Sequence, residues 1–274
     1  MKKNFAVIGG TGKTGRRVVE RLMKRGENVR SLSRSTNPAF DWNNPQSYKA
    51  ALEGVDTVYI VYHPDLAVPG AYESIVKLTE VAKAVGVKKL VLLSGKGEKE
   101  AERCEEVVAA SGLDYVIVRA AWFNQNFSES FFLDPIKSGV VALPMFDIKI
   151  PFVDANDIAD VVTEALLRED LNGKTLEVTG PSLLTLEEAV QAIAEVSKRS
   201  IQFIPVSLDQ YLVHMKKANI PADVIWLFEY LFSTVLTNPD NQLISHDIVS
   251  VLGRSAVTFE DYAKETAKTG VWAA

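Results

Sequence analysis

Residues 5–15 read FAVIGGTGKTG, an apolar run followed by a glycine-rich turn. The run predicts a buried strand, and the segment after Gly15 has the spacing of an amphipathic helix. Gly9, Gly12 and Gly15 fit the pattern G-x-x-G-x-x-G, in which absent side chains let backbone N–H groups and a helix N-terminus approach a pyrophosphate. The stretch therefore predicts a dinucleotide-binding turn, with an ordinary strand-to-helix turn as the alternative.

The alternation of strand and helix continues through the first part of the sequence. Apolar runs alternate with helical patterns through about residue 165, and they read FAVI, VRSL, DTVYIV, KKLVLLS and DYVIVRA. Such alternation predicts an α/β fold with a Rossmann-type, doubly wound parallel sheet and crossover helices.

The pattern changes after residue 170, where a strand TLEV precedes several helices. Two of these helices open with capping boxes, Thr185 with Glu188 and Ser207 with Gln210. We therefore predict an NAD(P)-binding Rossmann domain over residues 1–165 and a smaller, mostly helical, substrate-side lobe over residues 166–274 packed on it.

Composition narrows the class of protein. The single cysteine, Cys104, cannot form an internal disulfide, which is typical of a reducing compartment. The net charge of −5 argues against a large nucleic-acid footprint. No signal peptide is evident, and no apolar run approaches the roughly 18 residues of a membrane span. We expect a soluble, cytoplasmic protein that binds neither nucleic acid nor membrane.

The end of the second strand bears on cofactor choice. A site that prefers NAD usually places Asp or Glu there, to accept hydrogen bonds from the ribose hydroxyls. This sequence has Arg34, which with Ser33, Ser35 and Lys13 offers donors to a 2′-phosphate instead. The pattern favours NADP(H); the alternative is a solvated arginine at a strand end.

Histidines and aromatic residues bear on whether the protein binds a metal and on the kind of substrate it binds. His63, His214 and His246 are too scattered for a metal cluster, so we predict no metal site. The segment 222–236 is apolar on most sides and would form a buried helix, line a substrate pocket or make a dimer contact. Its aromatic residues, together with Trp122 and Phe123, favour an apolar or aromatic small-molecule substrate.

Several segments taken together are more specific than any one of them. They are GGTGKTGRRV, the second-strand arginine, FDW, VLLSG, SGLDYVIVRAAWFNQNF, PFVDANDIADVV and VLGRSAVTFEDYA. With them the sequence resembles an atypical short-chain dehydrogenase/reductase, and more narrowly the NmrA-like and NAD(P)H:quinone-oxidoreductase-like branch. GGTGKTG and FDW are also similar to bacterial relatives of ergot-alkaloid reductases of the agroclavine dehydrogenase type.

The resemblance implies a set of cofactor contacts. Residues 11–15 would wrap the pyrophosphate, Arg34 would meet the 2′-phosphate, and Asp41 and Trp42 would lie by the adenine. The full implied set is Gly9, Thr11, Gly12, Lys13, Thr14, Gly15, Ser33, Arg34, Asp41, Trp42, Val61, Tyr62, His63, Ser94, Gly95, Trp122, Phe123 and Asn124.

The same resemblance assigns the nicotinamide end. VYHP, at the end of the fourth strand, would place residues 61–63 beside the ribose. Ser94 and Gly95 after the fifth strand, and residues 122–124 after the sixth, would flank the nicotinamide. Alternatively Tyr62 is a core aromatic, and Trp122 and Phe123 cover the sheet without touching a ligand.

The sequence departs from the family pattern at one position of catalytic importance. In typical members of the family, the serine that corresponds to Ser94 is followed by a Tyr-x-x-x-Lys sequence. The phenol of that tyrosine protonates an alkoxide. The corresponding helix here reads EKEAERCEEVVAASG and contains no tyrosine. Catalytic residues are therefore unknown, with Ser94 and His63 as candidates; His63 is otherwise a structural histidine.

These observations lead to one function and one alternative. The first is an NADPH-dependent oxidoreductase that transfers hydride to an electron-poor acceptor, a quinone, an azo compound or an imine or iminium compound, without the Tyr-x-x-x-Lys relay. The alternative is an NADPH-binding redox sensor or regulatory protein of NmrA-like type with no turnover.

Overall fold

The computed structural model describes residues 2–145 and 147–273. Its main element is a six-stranded sheet in the order β2-β1-β3-β4-β5-β7. β1 pairs in parallel with β2 and β3, and β4 pairs in parallel with β3 and β5. The strands are β1 Asn4–Ile8, β2 Asn28–Leu32, β3 Thr57–Ile60, β4 Lys89–Gly95, β5 Asp114–Ala120 and β7 Lys174–Val178. The predicted Rossmann-type doubly wound sheet is thereby confirmed.

Helices connect and follow these strands. They are α1 Lys13–Lys24, α2 Gln46–Leu52, α3 Ala71–Ala84, α4 Lys99–Ala109, α5 Leu133–Ser138, α6 Ala155–Leu167, α7 Leu186–Ser197, α8 Leu208–Lys217, α9 Ala222–Tyr230, α10 Asp247–Leu252 and α11 Phe259–Lys268. Within residues 2–145 and 147–273, no helix is both long enough and apolar enough to span a lipid bilayer.

The sheet order positions the site. β1 lies between β2 and β3, with Phe5 opposite Val29 on one side and Thr57 on the other. Ligands of such open α/β sheets bind in the crevice at the carboxyl ends of the strands, where the winding direction reverses. The crevice expected here therefore lies at the ends of β1 and β3.

The strand count differs from the one that the family resemblance implied. VYHP follows β3, the third strand, because the segment between β2 and α2 forms turns and no strand. The strands before Ser94 and before Trp122 are accordingly the fourth and fifth rather than the fifth and sixth.

The first crossover helix packs as its sequence pattern predicts. Val18 and Leu22 of α1 are fully buried, and burial of each such side chain contributes about 1.5–3 kcal/mol. The helix ends at Lys24, and Gly26 follows with a φ of +73°. Gly26 donates its N–H to the Met23 carbonyl, so this glycine closes the C-terminus of the helix.

Contacts divide the chain into two compact units that interleave along the sequence. The first comprises the described residues of Met1–Ala120 with Ala155–Glu177 and Ser250–Gly253. The second comprises those of Ala121–Asp154, Val178–Val249 and Arg254–Ala274. The predicted domain boundary after residue 165 stays a prediction.

The second unit has its own small sheet and core. β6 (Val140–Leu143) pairs in parallel with β8 (Gln202–Pro205). Phe127, Phe152 and Phe259 pack ring against ring at centroid distances of 5.6–5.7 Å. The two predicted capping boxes, at the starts of α7 and α8, are both present.

The apolar segment 222–236 forms α9 and a wider helical turn over Leu231–Val235. Phe228 and Phe232 are buried in the core of the second unit. Trp226 is 39% exposed and stacks on Tyr230 with centroids 5.5 Å apart. One face of the segment is thus core, while Trp226 and the polar residues Asp223 and Glu229 are exposed. The interpretation of a buried helix therefore holds for that face alone.

Candidate functional site

Three glycines of the first turn are explained by the protein's own packing. Gly9 has a φ of +71°, which favours glycine. A Cβ on Gly10 would lie 2.2 Å from Ser31 Oγ, and a Cβ on Gly15 would lie 2.1 Å from the Gly9 carbonyl oxygen. These absent side chains allow α1 and β2 to approach the turn closely.

Gly12 is less crowded than Gly10 and Gly15. Its φ of −80° and ψ of −178° suit any residue, and a Cβ there would meet only the Gly9 oxygen, at 3.2 Å, among the described atoms within 4 Å. Gly12 is the N-cap of α1, which has no side-chain cap and no acidic residue in its first turn. Free N–H groups at such a helix start attract an anion. The space beside Gly12 therefore fits a pyrophosphate.

The side chains next to Gly12 differ in their exposure to solvent. Thr11 is exposed, and Lys13 is half-buried. Thr14 is buried, and its hydroxyl accepts a hydrogen bond from the Tyr59 hydroxyl at 3.0 Å. Burial raises the pKa of Tyr59 above its usual range, so the phenol stays neutral and keeps this bond. The Thr14 side chain thus belongs to the core, which leaves its backbone N–H for a ligand.

The loop after β2 is folded on itself and leaves Arg34 outside. The Ser33 N–H donates to Thr36 Oγ1 at 2.9 Å, and the Ser33 carbonyl accepts the Phe40 N–H at 2.9 Å. The Ser33 and Ser35 hydroxyls are 3.0 Å apart. Arg34 is exposed and forms no hydrogen bond or ion pair with the residues that the structure describes. Its guanidinium is available to a phosphate.

An aromatic cluster joins the ends of β2 and β3. The Trp42 indole N–H donates to the Val61 carbonyl at 3.3 Å, and the Trp42 and Tyr62 rings are 4.7 Å apart. A Cβ on Gly9 would lie 3.3 Å from the Val61 Cβ. The structure thus brings Gly9, Trp42, Val61 and Tyr62 together at the predicted crevice.

Two further residues of the implied set lie along these loops. The Asp41 carboxylate accepts the Asn43 N–H at 3.0 Å and so shapes the turn that carries Trp42. His63 is exposed and forms no hydrogen bond with the described part of the chain. A catalytic role for His63 stays a prediction.

Ser94 is buried at the end of β4, and its hydroxyl is engaged. It donates to Glu105 Oε1 of α4 at 2.6 Å. The same carboxylate accepts Arg119 Nη2 at 2.6 Å and Arg119 Nε at 3.0 Å. Ser94 therefore helps to hold α4 against β4 and β5, while its proposed contact with a cofactor or substrate stays a prediction.

A pair of acids next to Gly95 was missed in the sequence. A Cβ on Gly95 would lie 2.0 Å from Glu98 Oε1, so the absent side chain makes room for the buried Glu98 carboxyl. Burial, and then the adjacent Asp65 carboxyl, raise the pKa of Glu98 well above its usual range. Burial also raises the pKa of Asp65.

The spacing of acidic residues along α4 could have indicated the buried Glu98 from the sequence. Glu98 and Glu105 are seven residues apart, on the same face of α4 as the buried Ala101 and Val108. Carboxyl groups on the apolar stripe of a helix are uncommon and point to special chemistry. Cys104 lies on the same buried face, and burial raises the pKa of its thiol to about 12, so the thiol is unreactive.

The last implied segment, residues 122–124, lies in the second unit. Trp122 packs on Phe232 with centroids 5.5 Å apart, and Phe123 bridges to Val153. Asn124 is fully buried, and neither polar atom of its amide has a partner among the described residues. Such an orphaned amide is costly unless a ligand or water satisfies it, which suits a ligand-binding residue.

Comparison with protein families identifies the family of the chain. The NmrA-like family model matches residues 1–249. The chain belongs to the NmrA-like family. The resemblance inferred from the sequence motifs is therefore confirmed.

Individual relatives of this NmrA-like protein match it over nearly their whole length. Agroclavine dehydrogenase of Claviceps fusiformis is 28% identical and aligns over 97% of both chains. NAD(P)H azoreductase of Xenophilus azovorans is 28% identical over 94% of this chain and 96% of its own.

A solved structure agrees in fold. The NADPH-dependent quinone oxidoreductase QOR2 of Escherichia coli, complexed with NADPH, superposes with a TM-score of 0.80. It is 21% identical, and the match covers 95% of this chain and 99% of that one.

Within the described residues, no group of three or more His, Cys, Asp or Glu side chains is arranged to hold a metal ion.

Proposed function

We propose that this NmrA-like protein is an NADPH-dependent oxidoreductase that transfers hydride to an electron-poor small molecule. The acceptor class is a quinone, an azo compound or an imine or iminium compound, apolar or aromatic in character. The protein acts in the cytoplasm and needs neither nucleic acid nor membrane.

The observation that carries the proposal is the space beside Gly12. It adjoins the uncapped N-terminus of α1, and, apart from adjoining residues of the chain, the Gly9 carbonyl oxygen at 3.2 Å is the one described atom that would lie within 4 Å of a Cβ on Gly12. An anion at this point gains both hydrogen bonds and the favourable end of the helix dipole. The pyrophosphate of a dinucleotide fits this position, with Trp42 and Tyr62 alongside.

Arg34 supports NADPH over NADH. An exposed guanidinium without a protein partner can pair with the 2′-phosphate, and no carboxylate stands at this strand end to bind ribose hydroxyls. The nearby Ser33 and Ser35 hydroxyls add donors. The bound nicotinamide then supplies the hydride, and the protein supplies orientation and electrostatics.

Two observations support this class of acceptor: the absence of a Tyr-x-x-x-Lys sequence from α4 and the names of the similar proteins. α4 carries no Tyr-x-x-x-Lys sequence, so a phenolic proton relay is absent from it. An iminium ion becomes neutral on taking hydride, and a quinone spreads the new charge over its ring and second oxygen. Proteins named NAD(P)H azoreductase, agroclavine dehydrogenase and quinone oxidoreductase are similar to this chain, and these names support acceptors of this kind.

The test is anaerobic NADPH oxidation with the purified protein against a panel of quinones, azo dyes and iminium ions. We expect turnover with at least one of these acceptors, with NADPH in preference to NADH. Tight NADPH binding without oxidation by any acceptor would reject the enzyme and favour the sensor or regulator instead.

A further inference from the structure

The acids near Gly95 are built into the end of β4 rather than scattered over a surface. The Glu98 carboxyl occupies the space where a Gly95 side chain would stand. It is only 6% exposed, and it does not cap α4, although Glu98 is the N-cap residue. Asp65, from the loop after β3, lies against it and keeps part of its own surface in solvent.

The surroundings of Glu98 favour a proton on the pair of carboxyl groups. Glu98 Oε2 is buried, and no N–H or O–H group of the described residues reaches it. An ionised carboxylate in that position would be costly, and two adjoining carboxylates cannot both ionise readily. A single proton shared by Asp65 and Glu98 satisfies both groups. Asp65 is steadied by the Ala67 N–H, which donates to Oδ1 at 2.8 Å.

Two cations on neighbouring elements, Arg119 and Lys96, are paired with other carboxylates. Glu105 also faces Glu98 from α4, and its charge opposes ionisation further. Arg119 of β5 is paired with Glu105, and Lys96, just after β4, is paired with Glu177 at 2.6 Å. The Cys104 thiol, which faces Asp65 and Glu105, is neutral. The acids therefore remain short of positive charge.

We infer that Asp65 and Glu98 share one proton and that Asp65 delivers it to the acceptor after hydride transfer. This role rests on the proposed function. A quinone that takes hydride becomes a hydroquinone monoanion, and an azo group becomes a hydrazide anion. The carboxyl O–H bond breaks, a new O–H or N–H bond forms on the anion, and both carboxylates remain. Water then returns a proton to the pair.

Acceptors that differ in their need for a proton give a sharp test. An iminium ion becomes a neutral amine on accepting hydride and requires no proton. We therefore compare kcat for a quinone, an azo dye and an iminium ion in Asp65→Asn and Glu98→Gln. Glu106→Gln, an exposed glutamate on α4, is the control.

Both variants should lose about 10²-fold or more in kcat with the quinone and the azo dye. The iminium rate and the NADPH affinity should stay near the wild-type values. Wild-type kcat with the quinone should fall as pH rises through the raised pKa of the pair, because the acid form is the active one. An equal loss with all three acceptors, or no loss with any, would overturn proton delivery while the proposed function stands.

Stability provides a readout that does not depend on turnover. The folded pKa of Glu98 is raised, so its proton favours folding below the ordinary glutamate pKa, and this contribution declines as pH rises through the folded value. Tm of the wild type should therefore drop with pH more steeply than Tm of Glu98→Gln. Parallel pH curves would refute the shared proton. A wild type that reduces none of the acceptors would reject the proposed function and proton delivery together, whatever the Tm curves show.

Discussion

Helices α1 and α4 begin at equivalent positions relative to the sheet, but their N-terminal ends differ in charge. Each helix follows the carboxyl end of a parallel strand, β1 or β4. α1 begins after Gly12 with no acidic residue in its first turn. α4 begins after Glu98 and carries Glu100 and Glu102 in its first turn.

The contrast shows how one topological position serves two purposes. At α1 Gly12 brings no side chain, so the N-terminal end of the helix can be approached by an anion from outside. At α4 the missing side chain of Gly95 is replaced by the protein's own carboxyl group. A negatively charged ligand group is therefore expected at α1 and disfavoured at α4, which orients a dinucleotide with its phosphates toward α1.

The largest expected effect is at Gly12. In Gly12→Val the new side chain fills the space assigned to the pyrophosphate, and its backbone angles are ones that valine tolerates. NADPH affinity should fall at least 100-fold, about 2.7 kcal/mol, while circular dichroism and Tm remain close to those of the wild type. Nucleotide titration measures the affinity.

Gly15→Ala is the matched control for that variant. Its Cβ would lie 2.1 Å from the Gly9 carbonyl oxygen, so α1 must shift. Such overpacking destabilises a protein by about 1–3 kcal/mol, and Tm should fall. If Gly12→Val folds and binds NADPH with normal affinity, the start of α1 does not hold the phosphates, and the proposed difference between α1 and α4 is wrong.

The second effect is at Arg34, beside the α1 end of the crevice. A charge-assisted hydrogen bond contributes about 1.5–3 kcal/mol, so the wild type should bind NADPH at least about tenfold more tightly than NADH. Arg34→Ala should erase most of that margin and leave NADH affinity unchanged. Arg103→Ala, an exposed arginine paired with Glu100 on α4, should alter neither. Equal wild-type affinities for the two nucleotides would contradict the assignment.

The smallest effect is expected at Ser94, on the α4 side. Ser94→Ala removes one hydrogen bond to Glu105, but Arg119 still pairs with that carboxylate. The loss in stability should be about 1 kcal/mol, with a modest decrease in turnover, measured by thermal unfolding and NADPH oxidation. Complete loss of activity with intact NADPH binding would show that Ser94 acts in the reaction itself.

Local patterns were sufficient for much of the fold. The alternation of apolar runs and helical stretches predicted the parallel sheet, since strand and helix have different periods. The capping boxes at Thr185 and Ser207 were also predicted correctly, because each involves residues only three apart. The count of strands was wrong by one, since the family pattern does not show whether the segment before α2 pairs with the sheet.

The sequence by itself determined the strand–turn–helix unit at residues 5–15 and the family, and it supplied the prediction of which residues contact a dinucleotide. All of these depend on local order or on motifs read in sequence. Only the tertiary structure decided which glycines are packing residues and which is open, because that depends on Ser31 and on the Gly9 carbonyl approaching in space. It also decided that Asp65 meets Glu98. Residues 33 positions apart come together because β3 and β4 are adjacent in the sheet, a pairing set by long-range packing.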